Sequence, residues 1–281
     1  MAIRIITDST SDISFAQAKT MGVTLVPLKV IFGDTEYREG IEITIDEFYK
    51  KLVEADKLPT TSQPSPDDFL KYFQEAKEAG DSVIVILISS KLSGTVQSAL
   101  IAKDMVGYPD IHIVDSKNTI TGLRTLVEIA VQMRDMGKGC IEIINQLNDL
   151  KERIVLLAMM DTLDYLYKGG RLSKTSTILG SLLKFKPIIT LKDGSIEVVG
   201  KERGVNKGIA KIMDSIGDFG EIDLNYPINL GYTAENSKSL ILMERLMDKY
   251  QLSDLPMHSV GCVVGTHAGP GACVLTYIRK K

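Results

Sequence analysis

The sequence predicts an α/β protein of two domains, a parallel-sheet N-terminal half and a C-terminal half in which hairpins mix with helices. Three observations carry this. In the first half, short and nearly continuous apolar runs alternate with helical patterns that close at glycine, the pattern of βαβ units whose sheet is buried on both faces. Near residue 154 the texture changes, and a strong hairpin signal appears among helices. The 281 residues, 44% of them apolar, are enough for two ordinary domains with ample core. The division is expected at 1–153 and 154–281. No Pro/Gly/Ser linker separates the halves, so they should pack closely, and their junction is the expected place for a ligand.

The elements follow in order. "IRIIT" reads as the first strand, and "DSTSDISFAQAKTMG" as a polar turn and a helix closed by Gly22. "TLVPLKVIFGDTEYREGIEI" reads as a strand pair turning at Gly33-Asp34, followed by the helix "IDEFYKKLVEA" and a Pro-rich loop, "KLPTTSQPSPDDFL". "SVIVILI" and "IHIVD" are the next strands, each leading through a polar turn into a helix, closed by Gly107 and Gly137. In the second half, "IVLLAMM" is a strand and "DTLDYLYKGG" a short helix capped by Asp161 or Thr162, with Asp164 in its first turn. "RLSKTSTILGSLLKF" is a further helix, and "PIITLKDGSIEVV" a hairpin about Asp193-Gly194. A helix over 205–216, the strand "PINLGYT", a helix over 236–250 and a closing strand pair, "SVGCVVGTHAGPGACVLTYI", complete the chain.

Composition excludes several classes of function. A formal net charge of −3 gives no electrostatic case for nucleic acid. No apolar run approaches the ~18 residues of a membrane span, and "MAIRIITDST" runs straight into a strand without the apolar core of a signal peptide. A cytoplasmic location and no stable membrane insertion are expected. Cys140, Cys262 and Cys273 lack a CxxC spacing and read as reduced thiols. His112, His258 and His267 fall at no metal-ligand spacing, so neither metal nor cofactor is expected. Nothing marks a dimer seam, and a monomer is expected.

In a parallel sheet, the loops after the strands gather at one edge, where ligands bind. Three such loops carry hydroxyls: Ser9 to Ser11, Ser89 to Thr95, and Ser116 to Thr121. The plain reading is helix capping, for which Ser93 is well placed. Ser93 and Gly94 at a helix start also suit an anion. A nucleophile elbow is excluded, because "KLSGT" has Lys91 and Thr95 where Gly-x-Ser-x-Gly needs glycines. His267, in the Gly-rich "GTHAGPGA", has no acid near it in sequence to complete a triad, and residues 265–272 read as a hairpin loop needing positive φ. Neither this stretch nor "ITDSTSD" is a phosphate-binding loop. In "YLYKGGRLS" two glycines end a helix before Arg171, and "KERG" carries Arg203; arginine is the residue suited to phosphate or partner recognition.

Taken together, "ITDSTSD", "TTSQPSP", "SSKLSGTVQSA", "VDSK", "DTLDYLYKGGRLS", "FKPII", "KERG" and "GTHAGPGA" resemble, almost end to end and in order, the DegV family of bacterial fatty-acid-binding proteins. The resemblance implies two α/β domains with a long-chain fatty acid buried between them. Its carboxylate would be held by Thr61 and Ser93 with His267 nearby, and Ser62, Gly94 and Thr95 would neighbour the head group. It further implies a carrier without a reaction of its own, serving a separate ATP-dependent fatty acid kinase that feeds phospholipid synthesis. Arg171 and Arg203 match positions implicated in docking that kinase. The physics is compatible: a ~16-carbon tail at ~0.8 kcal/mol per CH₂ gains ~12 kcal/mol gross, against ~1.5–3 kcal/mol for each hydrogen bond to the head. After "VDSK" the run "NTITGLR" departs from the pattern, and Ile120 and Arg124 are expected to reshape the tail channel. The competing readings are a small-molecule hydrolase or kinase-like enzyme using Ser93 or His267, and a pure interaction module without an apolar tunnel. The likeness of the family fold to a domain of dihydroxyacetone kinases supports the enzyme by analogy alone.

Overall fold

The computed structural model describes residues 2–172 and 185–281. The first half runs β1 (Ile3–Asp8), α1 (Phe15–Met21), β2 (Val23–Val26), β3 (Lys29–Phe32), β4 (Thr35–Arg38), α2 (Ile45–Glu54), β5 (Thr60–Ser62), α3 (Pro66–Ala79), β6 (Ser82–Leu87), α4 (Thr95–Val106), β7 (Ile111–Asp115), α5 (Ile120–Asp135) and α6 (Cys140–Leu150). The second runs β8 (Ile154–Met159), α7 (Asp164–Lys168), β9 (Lys186–Lys192), β10 (Ser195–Glu202), α8 (Val205–Phe219), β11 (Asn229–Tyr232), α9 (Ser237–Tyr250), β12 (Met257–Ser259), α10 (Cys262–Ala268) and β13 (Cys273–Ile278). The helix expected over 171–185 lies, but for its ends, outside the described residues.

The N-terminal domain is built on a parallel sheet of order β2-β1-β6-β7. Its central strand β6 is apolar from Val83 to Leu87 because both faces are covered. Val83, Val85 and Leu87 of β6 pack with Phe69 and Phe73 of α3 and Ala99 of α4. Ile84 and Ile86 pack the other way, on Leu123, Leu126 and Val127 of α5 and Leu147 of α6. The hairpin expected at Gly33-Asp34 joins β3 to β4, and β5 adds to β3 to make a small antiparallel sheet of order β4-β3-β5.

The C-terminal domain is a mixed sheet of order β10-β9-β8-β13-β11-β12, antiparallel except for the β11–β12 pair. The β9–β10 turn has Asp193 at φ 48° and Gly194 at φ 81°, the positive pair a two-residue hairpin requires. On one face Val155, Leu157 and Met159 of β8 meet Ile209, Ile212 and Ile216 of α8 and Leu242 of α9. Among the described residues the other face is covered only in part, by α5, where Thr121 Oγ1 meets Thr276 Oγ1 at 2.6 Å. Leu156, Ala158 and Met160 point there, toward the first domain.

Several local expectations are corrected. The "Pro-rich loop" holds β5 and the start of α3: Ser65 and Asp68 form a capping box, and Pro66 sits at the first helical position, where its missing N–H costs nothing. Helix α6 adds to the elements expected from the sequence; Ile143, Leu147 and Leu150 bury one stripe of it. "CVVGTHA" is the helix α10, not part of a strand or a hairpin loop, and the positive φ values come only after it, at Gly269 (69°) and Gly271 (82°). Ser93 does not cap α4, whose N-cap is Gly94. Leu163 occupies the N-cap position of α7, but Thr162 Oγ1 accepts the N–H of Asp164 at 3.1 Å, as expected of a cap, whereas Asp161 pairs with Lys186 and Lys238.

Candidate functional site

The partly covered sheet face closes over a cleft between the two domains. Its empty volume, open mouth included, is ≈ 970 Å³. The C-terminal sheet supplies one wall through Leu156, Ala158, Met160, Ile189 and Val274, and α10 supplies Val263 and Val264. The N-terminal domain supplies Leu28, Ile88, Leu92 and Ile120, all from loops or helix starts at the sheet edge. Most of this lining is apolar.

Thr119 and Thr233 line the cleft, and several further polar groups gather at one region of it. Thr61, Ser62 and Gln63 come from β5 and the turn after it, Ser93 from the loop before α4, and His267 from the last turn of α10. Thr61 Oγ1 and His267 Nε2 are 2.9 Å apart, a hydrogen bond across 206 residues of sequence. Burial, with the Arg171 charge as a second cause, lowers the His267 pKa to about 4, so the ring is neutral at pH 7. Its Nδ1 is buried without a partner among the described residues. Gly169 packs against that nitrogen, and a Cβ there would collide with it; the first glycine of "KGGR" is therefore a close-approach position.

Ser93 Oγ lies 2.8 Å from Thr95 Oγ1. Gln63, which the sequence did not single out, straps across the start of α4, its Nε2 donating to the Gly94 carbonyl (3.2 Å) and to Ser98 Oγ (3.1 Å). Gly94 permits this, since a Cβ would meet the Gln63 amide. Of the expected head-group neighbours, Ser62 lines the cleft, whereas Gly94 and Thr95 stand behind Ser93. Arg171 lines the cleft half-buried, and its guanidinium donates to the carbonyls of Leu92 (3.3 Å) and Gly169 (2.6 Å). Arg203 lies apart, exposed just after β10, its guanidinium carbon 5.0 Å from the Phe185 ring centre.

This geometry speaks against nucleophilic catalysis by the two candidate residues. Ser93 Oγ is bonded to Thr95, and His267 Nε2 to Thr61, so Ser93 and His267 do not form a nucleophile–base pair. Among the described residues no cluster of ligands suits a metal ion, and no helix is long and apolar enough to cross a membrane. The arrangement fits an acid with a long apolar body.

Behind the cleft lie three buried acids that the sequence did not mark. Asp8 accepts from the N–H of Ile88 at 2.8 Å, and burial raises its pKa to about 6. Glu39 accepts from the N–H of Val263 at 2.9 Å and from Ser9 Oγ at 2.5 Å, and burial raises it to about 7. Asp12 accepts from the N–H of Gly261 at 2.9 Å and is likewise raised by burial. Ser9 Oγ in turn accepts from the Leu28 N–H at 3.0 Å. Thus Leu28, Ile88 and Val263, three residues of the cleft wall, each give their N–H to this network.

Comparison with known proteins identifies the family. The model of the DegV family, described as uncharacterised proteins, matches residues 2–280. A DegV domain-containing protein of Caldanaerobacter subterraneus is 38% identical over 278 residues, 99% of each chain. Among solved structures, a DegV family protein of Thermus thermophilus, described by its fatty acid binding, superposes with a TM-score of 0.91 at 32% identity, over 99% of this chain and all of that one. A stearic acid-binding protein of Eubacterium ventriosum superposes with a TM-score of 0.89 at 30% identity, over all of this chain and 99% of that one. The chain belongs to the DegV family.

Proposed function

We propose that this protein is a fatty acid carrier that buries a long acyl chain between its domains and presents the carboxylate to a separate ATP-dependent kinase. The observation that carries the reading is the pairing of a large apolar cleft with one polar end, where Thr61 meets a neutral His267. The relatives described as binding fatty acid and stearic acid support it. The domains divide at 153/154 in this reading, and the tail lies along the face of the C-terminal sheet.

Thr61, Ser93 and His267 hold the carboxylate. With His267 as the Nε2–H tautomer, Nε2 donates to Thr61 Oγ1, and the Thr61 proton is free to point at the ligand. Donation by hydroxyls steadies the carboxylate without quenching its charge, which suits an oxygen that must later attack phosphorus. Arg171 at the mouth and Arg203 on the outer surface serve kinase docking. The catalyst is then the partner, and this chain supplies binding and orientation.

The first test is mass spectrometry of an organic extract from the purified, denatured protein. Stoichiometric fatty acid is expected, and its chain length would define the preferred ligand. No lipid in the extract, together with no uptake of added palmitate or oleate, would overturn the carrier reading.

A further inference from the structure

The cleft wall holds two threonines outside the hydrogen bond of Thr61 with His267: Thr119 from the first domain and Thr233 from the second. Thr119 stands at the N-cap position of α5, where a hydroxyl ordinarily accepts an N–H of the first turn. It makes no such bond. Ile120, the first helical residue, has a positive φ of 44°, and the N–H groups of Gly122 and Leu123 both go to the Thr119 carbonyl, at 3.0 and 3.2 Å. The side chain is left over. Thr119 is 7% exposed, and its Oγ1 is buried with no hydrogen-bond partner among the described residues. Thr233 is fully buried. Its Oγ1 accepts the Ala272 N–H at 2.7 Å, and its own proton goes to no acceptor among the described residues.

A hydroxyl kept from water without a partner is costly, and native structures leave few of them. Beneath a seated acyl chain no water can stand in. A saturated tail would press CH₂ groups against Thr119 and offer its oxygen nothing. An oxygen carried by the tail would meet that need. No bond holds Thr119 Oγ1 in place, so rotation about χ1 is enough to turn it toward such a group.

We propose that the cleft is built for an acyl chain that bears a hydroxyl group along its length, and that Thr119 recognises that hydroxyl. The proposal rests on the fatty acid reading of the cleft and narrows it to a class of acid. Thr119 Oγ1 donates to the ligand's hydroxyl oxygen or accepts its proton, and Thr233 holds a second proton on the wall of the other domain. An apolar wall takes a hydroxylated chain at a loss, because the added group goes unpaired. A wall that carries a partner removes that loss. Thr121, two residues on, is not available for the role, since its Oγ1 is already 2.6 Å from Thr276 Oγ1.

The test measures four ligands on the delipidated full chain by calorimetry: stearate and its 3-, 10- and 12-hydroxy isomers. At least one hydroxystearate is expected to bind the native protein as tightly as stearate or more so. Thr119→Val keeps the branched shape and should weaken that isomer about tenfold, the effect of leaving one buried hydroxyl unpaired. Stearate should change less than about twofold, or tighten, and Thr119→Ser should keep the native preference. Stearate binding also reports that the variant is folded; should Thr119→Val lose it, Thr119→Ala is read in its place. A native protein that binds every hydroxystearate more weakly than stearate would overturn the proposal. So would a variant in which the ratio of hydroxystearate to stearate affinity stays native, since Thr119 would then only pack. Either of those results leaves the fatty acid reading standing. If none of the four ligands binds the native protein, that reading fails, and this proposal with it.

Discussion

Ile120 begins α5 with φ at 44°, a left-handed conformation that a β-branched side chain tolerates poorly. It is also 5% exposed and lines the cleft. Strain of this kind costs on the order of 1–3 kcal/mol and persists only where the surroundings hold it. Here the strained backbone aims a bulky side chain at the cleft. Ile120→Gly is therefore expected to leave stability nearly unchanged, since relief of strain offsets lost burial, and to shift the bound acyl chains toward longer ones, read by mass spectrometry of the extracted lipid. An unchanged chain profile would remove Ile120 from the selectivity of the cleft. Arg124, the other departure from the family pattern, is not part of the cleft wall. It pairs with Glu128 at 2.7 Å and donates to the Asp12 carbonyl at 2.9 Å, so its expected influence on the tail channel is not direct. At the polar end, the proposed carrier role predicts that Thr61→Val and Ser93→Ala each cost roughly tenfold or more in acyl-phosphate formation by a partner kinase, the worth of one hydrogen bond to a charged group. Palmitate binding should drop less, because the tail supplies most of the affinity. Equal losses in the two assays would mean that these hydroxyls hold the ligand but do not orient it.

Helix α10 shows how far a single element can be read locally. Glycines at 261, 265, 269 and 271 read as turn residues, and what makes 262–268 a helix lies far away in sequence. Glu39 and Asp12 accept the N–H groups at its start, and Phe48 and Tyr49 press so closely on Gly265 that no Cβ would fit. Strand β8 was legible for the opposite reason, since burial on both faces is written in every one of its residues. The start of α3 is written in Ser65, Pro66 and Asp68, but two prolines within three residues are equally the composition of a loop. The site divides in the same way. Its hydroxyls and His267 were found through the family motifs, whereas the meeting of Thr61 with His267 and the acids behind the wall depend on long-range packing. Those acids make α10 sensitive to pH. Glu39 has a folded pKa of about 7, against an ordinary 4.5, so between those values the folded protein holds a proton that the unfolded chain has released. Stability from this group is complete below about pH 4.5 and is lost as pH rises toward 7, at up to ~1.4 kcal/mol per unit for one proton. Asp8 acts in the same sense between 3.8 and about 6, and Asp12, beside Glu39, also favours its protonated form. Glu39→Gln keeps an acceptor for Val263 and cannot ionise. It should match the native protein near pH 5 and exceed it at pH 8 in urea midpoint. A native-like pH slope in the variant would show that Glu39 does not carry the effect.

At the scale of the whole molecule, the cleft is a gap in the core that both domains surround. The C-terminal sheet turns one face to its own helices α8 and α9 and leaves the other to the junction, where Leu156, Ala158, Ile189 and Val274 meet residues from the first domain across the empty space. Among the described residues, the direct ties that cross include Thr61 to His267, Tyr49 Oη to the Val260 carbonyl at 3.0 Å, Arg171 to the Leu92 carbonyl, Ser89 Oγ to the Gly194 carbonyl, and the acids on α10. An acyl chain seated there would complete the packing of both domains at once, and so would be worth more to the folded protein than a ligand on one surface. A ligand that binds only the native state adds about 2.7 kcal/mol at one hundred times its dissociation constant. For a protein of this size each kcal/mol raises the melting temperature by roughly 2 °C or more, so saturating palmitate should raise that of the delipidated protein by about 5 °C. The rise should continue with ligand concentration, and the two domains should melt in one transition when loaded. Decanoate, with six fewer methylenes, should stabilise far less at equal concentration, since each CH₂ contributes ~0.8 kcal/mol of burial. Equal shifts from decanoate and palmitate would mean that the head group alone is bound and the tail lies outside the cleft.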